Sequence, residues 1–122
     1  MFDRATLASV VLGANSSALS AIGNDYGYEK VFERQIRCIG KEGDVLIAIS
    51  TSGKSCNVIE AIKVAKKMGI SVISFTGKND SVMNDLSDIT IKAQSNETNH
   101  IQEMHIAIGQ LICGLVEREF FG

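Results

Sequence analysis

The sequence predicts an α/β domain built around a parallel β-sheet. Two short runs, at 45–49 and 71–75, are almost continuously apolar, which is typical of strands that are covered on both faces by helices. Segments with helical periodicity lie between these runs. Strands that alternate with helices in this way predict right-handed crossovers and a sheet whose strands all run in the same direction.

Four strands are expected, at 9–12, 45–49, 71–75 and 89–91. Helices are predicted at 17–22, 28–39, 57–68, 81–86 and about 100–120.

The helix predictions rest on apolar side chains that recur every three or four residues. In the helix at 57–68 these are Val58, Ile59, Ile62 and Ala65, and Gly69 follows where a C-terminal cap belongs. The longest helix carries Ile101, Met104, Ile108, Leu111, Ile112, Leu115 and Val116. No helix precedes the first predicted strand, so we expect the domain's first strand and N-terminal helices to lie upstream of residue 1.

Composition narrows the classes of function. The 122 residues, 45% hydrophobic and 21% charged, fit one globular domain over 1–122. The net charge of −2 and the lack of a basic stripe argue against nucleic acid as a partner. No apolar run is long enough to span a membrane, and the charged pair Asp3-Arg4 stands where a signal peptide would be apolar. Three widely spaced cysteines predict a reducing compartment, hence the cytoplasm.

The most informative segment follows the second predicted strand and reads Ser50-Thr51-Ser52-Gly53-Lys54-Ser55. In open parallel sheets, ligands bind beyond the carboxyl ends of the strands. The N-terminus of the next helix would offer free N–H groups and partial positive charge to a phosphate. The four hydroxyls would add donors, so the segment predicts an anion-binding loop.

Other interpretations of this segment are weaker. The glycine and lysine spacing does not match a P-loop, and no G-x-G-x-x-G pattern for a dinucleotide is present. A polar turn with Ser55 as an ordinary N-cap is the simplest alternative. Four hydroxyls between a buried strand and a helix favour the anion site over that turn.

Four segments in one order resemble the sugar isomerase (SIS) domain, and most closely the phosphoheptose isomerases. They are 21–28 (AIGNDYGY), 43–55 (GDVLIAISTSGKS), 75–78 (FTGK) and 101–105 (IQEMH). The resemblance implies a three-layer, flavodoxin-like parallel sheet and a homotetramer. It also implies the interconversion of sedoheptulose 7-phosphate and D-glycero-D-manno-heptose 7-phosphate, which begins nucleotide-heptose synthesis for bacterial surface polysaccharides such as lipopolysaccharide. This aldose–ketose isomerisation passes through an enediol and needs acid–base groups.

The same resemblance implies roles for individual residues. The phosphate-binding set would be Ser50, Thr51, Ser52 and Ser55. Asn15 would contact substrate, and Gln102 would contact substrate and a zinc ion, which some members of the family bind.

Part of the family pattern is missing. Its Asn-Gly-Gly-Ser loop and catalytic glutamate would lie upstream of residue 1. Gln110 stands at the position of the catalytic histidine, and an amide does not exchange protons near neutral pH. His105 lies well round the helix from that position and is interpreted as a core or interface histidine. His100 replaces a common arginine, and whether it contacts ligand stays open.

Helix geometry bears on assembly. Positions 102 and 110 are about 12 Å apart along a helix, too far for both side chains of one copy to ligate a single zinc ion. A site that uses both positions therefore needs two subunits.

Two other functions remain open. One is a non-catalytic SIS module that binds a sugar phosphate and acts through protein contacts, as in relatives that associate with a replication initiator. The other is a different sugar-phosphate isomerase or deaminase of the same superfamily.

Overall fold

The computed structural model describes residues 3–122, which form an α/β unit around a three-stranded parallel sheet. Five α-helices and a short 3₁₀ turn (Tyr28–Lys30) accompany the strands in this part of the chain. The strands are β1 (Val45–Ile49), β2 (Ser71–Thr76) and β3 (Ile89–Lys92). The helices are α1 (Ser16–Tyr26), α2 (Val31–Ile39), α3 (Cys56–Lys67), α4 (Val82–Leu86) and α5 (Thr98–Phe121).

The sheet has the strand order β1-β2-β3, and both pairs are parallel. One row of the register joins Ile47 to Ile73 and Ile73 to Ile89. Three of the four predicted strands and the α/β class with a parallel sheet are confirmed. Because all three strands point the same way, the loops that follow them emerge at one edge of the sheet.

The main core lies between one face of this sheet and helices α2 and α3. Val72 of β2 and Ile62 of α3 are both fully buried there. Of the apolar positions that predicted helix α3, Ile62 and Ala65 are buried, and Val58 and Ile59 are partly buried and pack against the same cluster. The other members of this cluster are Ile36, Ala48, Ala61, Val64, Ala65, Ile70 and Met83.

The opposite face of the sheet is only partly covered. The ring of His105, on α5, lies 5.7 Å from the ring of Phe75. Successive side chains of a strand alternate between faces, so Val45, Ile47 and Ile49 share this second face. They are 58%, 45% and 54% exposed.

Helix α5 packs against the sheet mainly through its first turns. Its buried residues are Ile101 and His105. Farther along, five large apolar side chains are exposed, namely Ile106, Leu111, Leu115, Val116 and Phe120. The helix has 24 residues, so its C-terminal half presents an apolar surface to solvent.

The strand predicted at 9–12 is not formed, and that prediction was wrong. The segment has no regular secondary structure, and Val10 and Val11 are 70% and 74% exposed. A cavity of about 480 Å³ lies between this segment and residues such as Val45 and Leu46 of β1. An apolar run indicates a tendency to be buried, but a strand also needs a ladder of hydrogen bonds with a neighbour.

Two helix boundaries also differ from the prediction. Helix α1 is longer than 17–22, because the side chain of Asn15 caps its start and Gly27, at a φ of 95°, ends it. The helix predicted at 28–39 is divided into the 3₁₀ turn and α2. In residues 3–122, no helix has both the length and the apolar character that crossing a bilayer requires.

Candidate functional site

A cavity of about 320 Å³ opens at the edge of the sheet where the strands end. The loop after β1 contributes Thr51, Ser52 and Lys54 to its wall. The loop after β2 contributes Gly77, Lys78, Asn79 and Asp80, and the segment leading into α5 contributes Ser95, Asn96, Thr98 and Ile101. Most of these side chains are polar, as expected of a binding site for a hydrophilic ligand.

The loop after β1 is held in shape by its own hydroxyl groups. The Oγ atoms of Ser50 and Ser55 lie 2.8 Å apart, and Ser50 Oγ also accepts a hydrogen bond of 3.1 Å from the backbone N–H of Gly53. The backbone N–H of Lys54 donates to Ser52 Oγ at 3.1 Å. Ser50 is buried, whereas Thr51 and Ser52 lie at the cavity.

Two helices begin beside the cavity. Helix α3 begins at Cys56, and within residues 3–122 the side chain of its N-cap, Ser55, makes no capping hydrogen bond. The N-cap of α5, Glu97, makes none either, and Thr98 of its first turn lines the cavity. Because the first N–H groups of a helix lack intrahelical partners, both helix ends favour an anion.

The charged side chains at the cavity are mainly cationic. Asp80 is the one carboxylate in the wall among residues 3–122, and it pairs with Lys92. Lys54 and Lys78 have no carboxylate within ion-pair distance in that same stretch. The pairing of Asp80 with Lys92 leaves the charge of these two lysines uncompensated at the cavity.

The predicted site residues do not all meet at this cavity. Thr51 and Ser52 line it, while Ser50 and Ser55 shape the loop from behind. Asn15 Oδ1 accepts a hydrogen bond of 3.0 Å from the N–H of Ala18, so this side chain caps α1.

Gln102 and Gln110 are exposed on α5 and are not part of the cavity wall. His105 is 4% exposed, and its Nε2 lies 2.8 Å from the carbonyl oxygen of Thr76, which agrees with its interpretation as a core histidine. His100 Nδ1 lies 3.5 Å from Glu97, next to the cavity segment.

Several wall residues received no role from the sequence, chiefly Lys78, Asn79, Ser95 and Thr98. Their positions in the sequence do indicate the site, because they follow β2 and β3 and the carboxyl ends of parallel strands lie at one edge of the sheet. The sequence indicates Lys78 only as part of the 75–78 motif.

Zinc does not fit the described residues of one chain. Within 3–122, no three His, Cys, Asp or Glu side chains come close enough together to hold a metal ion. Gln102 therefore has no ligand cluster around it in this part of a single copy.

Residues 1–77 match the family model described as the SIS domain. A protein named phosphoheptose isomerase from Burkholderia pseudomallei (strain K96243) is 49% identical over 121 residues, which are 99% of this chain and 61% of that protein. One of the same name from Rhodospirillum rubrum is 49% identical over 115 residues, covering 94% of this chain and 61% of the relative.

Solved structures show the same likeness. A phosphoheptose isomerase from Neisseria gonorrhoeae superposes with a TM-score of 0.87 at 41% identity, over 89% of this chain and 61% of that one. One from Francisella tularensis gives a TM-score of 0.85 at 30% identity, over 88% and 58%. The chain thus spans about three fifths of the length of the proteins it matches.

Proposed function

Because this chain belongs to the SIS domain family, we propose that it forms the sugar-phosphate-binding part of a phosphoheptose isomerase. The observation that carries this proposal is the loop after β1, which presents Thr51 and Ser52 to a cavity at the carboxyl edge of the sheet. The names of the relatives supply the substrate class. The proposed reaction interconverts sedoheptulose 7-phosphate and D-glycero-D-manno-heptose 7-phosphate.

In this proposal the residues of the chain bind and orient the substrate. The hydroxyls of Thr51 and Ser52 and the N-terminus of α3 hold the phosphate. Fixing the phosphate positions the carbonyl carbon and its neighbour for proton transfer, which lowers the entropic part of the barrier. The wall is mostly hydrogen-bonding side chains, which suits the hydroxyls of a sugar.

Proton transfer needs an acid–base group within reach of these two carbons. Among the described wall residues, Asp80 is the one carboxylate, and it is paired with Lys92. None of the described wall residues is a histidine. We therefore assign the proton transfer to groups other than the described wall residues.

The lack of a histidine and of an unpaired carboxylate among the described wall residues also favours a second candidate, a non-catalytic SIS module. Such a protein would bind the sugar phosphate in the cavity and act through protein contacts. It shares the binding step with the isomerase and differs in turnover, so one pair of measurements separates them.

Assembly into a homotetramer is part of the proposal. The exposed apolar side chains of α5, among them Ile106, Leu111 and Leu115, support it, since burying them against another copy would be favourable. A zinc ion held through Gln102 would then draw its other ligands from a second copy. We place the protein in the cytoplasm, at the start of nucleotide-heptose synthesis for surface polysaccharides.

Calorimetry with sedoheptulose 7-phosphate tests the binding step. We expect Ser52→Ala to weaken binding about tenfold, because a hydrogen bond to a charged group contributes about 1.5 kcal/mol or more. Ser71→Ala, at the opposite end of β2, is the matched control and should bind unchanged. Equal affinity of the Ser52→Ala variant and the unaltered chain would contradict the proposed phosphate site.

An NMR assay of heptose phosphate interconversion, with and without added zinc, tests turnover. Turnover supports the isomerase. Tight binding without turnover, with or without zinc, favours the non-catalytic module.

A further inference from the structure

Two lysines reach the cavity from different loops. Lys54 lies in the loop after β1, and Lys78 lies in the loop after β2. Both side chains are exposed to solvent, so neither lysine is part of the packed core.

Among residues 3–122, neither lysine forms an ion pair. Asp80, the one carboxylate in the described wall, is bound to Lys92. In contrast, most other lysines of the described chain have a carboxylate partner, namely Lys30, Lys63, Lys66 and Lys92. Lys54 and Lys78 are thus available to a ligand.

The remaining donors at the cavity also favour negative charge. The hydroxyls of Thr51 and Ser52 and the first turn of α5 around Thr98 add neutral donors and a positive helix end. Hydroxyls and helix N-termini accept a singly charged anion well. Two ammonium groups in addition favour a dianion over a monoanion of the same shape, because each Coulomb term scales with the ligand charge.

We propose that Lys54 and Lys78 together select the charge of the ligand, so that the cavity takes a doubly ionised phosphate monoester in preference to a singly charged sugar ester. The inference rests on the proposed function, since it concerns the same cavity. It adds a role for two residues that the hydroxyl loop does not explain. Lysine is suited to this role because its ammonium group is a compact point charge.

The test compares two ligands of nearly the same shape, sedoheptulose 7-phosphate and its 7-sulfate ester, which carries a single negative charge. Calorimetry is run on the unaltered chain and on Lys54→Gln, Lys78→Gln and the double variant. We expect each single change to weaken phosphate binding roughly tenfold, between the value for a screened surface pair and that for a charge-assisted hydrogen bond. Sulfate ester binding should weaken by a smaller factor, so that the preference for phosphate falls.

Control variants separate charge from structure. Lys67→Gln, in the last turn of α3 and away from the cavity, should leave both affinities unchanged. Lys54→Arg keeps the charge and should retain most of the preference for phosphate. Thermal melts establish that each variant is folded.

The outcomes are distinct. If the lysine variants bind the phosphate as tightly as the unaltered chain, this inference is wrong and the proposed function stands. Equal weakening of both esters indicates a structural role and also overturns it. If the unaltered chain binds neither ester, the proposed function falls, and this inference falls with it.

Discussion

The hydroxyl oxygens of Ser50 and Ser55 lie 2.8 Å apart and join the two ends of the loop that follows β1. Ser50 Oγ also accepts the N–H of Gly53. Ser50 and Ser55 thus hold the loop from behind the cavity, whereas Ser52, which accepts the N–H of Lys54, also lines it. A mutation at Ser50 and one at Ser52 should have different consequences although the residues are neighbours.

Ser50→Ala should destabilise the fold, because it removes two hydrogen bonds, the one to Ser55 Oγ and the one from the N–H of Gly53, which keeps only its 3.3 Å bond to the carbonyl oxygen of Ser50. We expect a cost of about 1–3 kcal/mol, and about 0.5–1.5 kcal/mol for Ser55→Ala. The double variant should cost less than the sum, with a coupling of about 1 kcal/mol. Urea unfolding of the four chains measures this coupling. Strict additivity would show that the hydroxyl pair is not an energetic contact. Ser71→Ala, at an exposed position of β2, should change stability little and is the control.

Gly53 occupies a backbone conformation that suits glycine. Its φ is +67°, and an added Cβ would clash with Ser81, coming within 2.6 Å of its Cβ. Gly43 has a φ of +90° but open space around its Cα. We expect Gly43→Ala to cost about 1–2 kcal/mol from the backbone alone, and Gly53→Ala to cost clearly more, as measured by urea unfolding.

A double variant separates the two contributions at Gly53. Ser81→Gly removes the clashing side chain and, as a change at an N-cap, should itself cost only a few tenths of a kcal/mol. The double variant Gly53→Ala/Ser81→Gly should then lose about as much free energy of unfolding as Gly43→Ala. If the double variant is no more stable than Gly53→Ala alone, the clash with Ser81 does not contribute to the cost of an alanine at position 53.

Three of the four apolar runs that predict strands form them. The runs at 45–49 and 71–75 form β1 and β2 because a buried strand needs apolar side chains on both faces. The run at 9–12 meets the same criterion but is exposed and unpaired. Hydrophobicity reports a preference for burial, while strand formation depends on a partner at the sheet edge that local sequence does not specify.

The sequence predicts where the candidate site lies, but it predicts only some of the residues that line the cavity. A cavity lies at the end of β1, where the hydroxyl cluster at 50–55 predicts an anion-binding loop. The cluster could not show that Ser50 and Ser55 bond to each other, since either serine could face the ligand in an extended loop. Lys78 and Thr98 join the wall through the register of three strands, which is tertiary information.

His105 offers a test of packing against hydrogen bonding. Its Nε2 donates to the carbonyl oxygen of Thr76, which also accepts the N–H of Ala93 at 2.9 Å. Its Nδ1 is buried and has no hydrogen-bond partner among residues 3–122. His105→Phe removes one hydrogen bond and one unsatisfied nitrogen, so we expect a change within about 1 kcal/mol. His105→Ala leaves a cavity beside Phe75 and should cost about 2–4 kcal/mol.

Urea unfolding of both variants decides between the two contributions, and the exposed His100→Ala, which should change stability by less than about 0.5 kcal/mol, is the control. A cost for His105→Phe as large as that for His105→Ala would show that the hydrogen bond to Thr76 outweighs packing.

Asp88 links helix α3 to the sheet and makes stability depend on pH. Its carboxylate pairs with Lys66 and accepts the N–H of Val72 at 2.7 Å. The hydrogen bond from Lys66 is the main cause that lowers the pKa of Asp88 below its ordinary value, and the bond from Val72 adds to it. A carboxyl group with a lowered pKa in the folded state stabilises the fold above its unfolded pKa, and this contribution is lost as the pH falls through the folded value.

Asp88→Asn should therefore unfold at a lower urea concentration than the unaltered chain at pH 7, because the amide cannot pair with Lys66. The difference should begin to shrink below about pH 4, where the carboxyl group of the unfolded chain takes up a proton, and should be lost as the pH falls through the lower pKa of the folded state. Asp85→Asn, an exposed change on α4 with no ion pair among the described residues, is the matched control and should track the unaltered chain at every pH. A stability difference for Asp88→Asn that stays constant from pH 7 to pH 3 would mean that its contribution is not carried by the charge of the carboxylate.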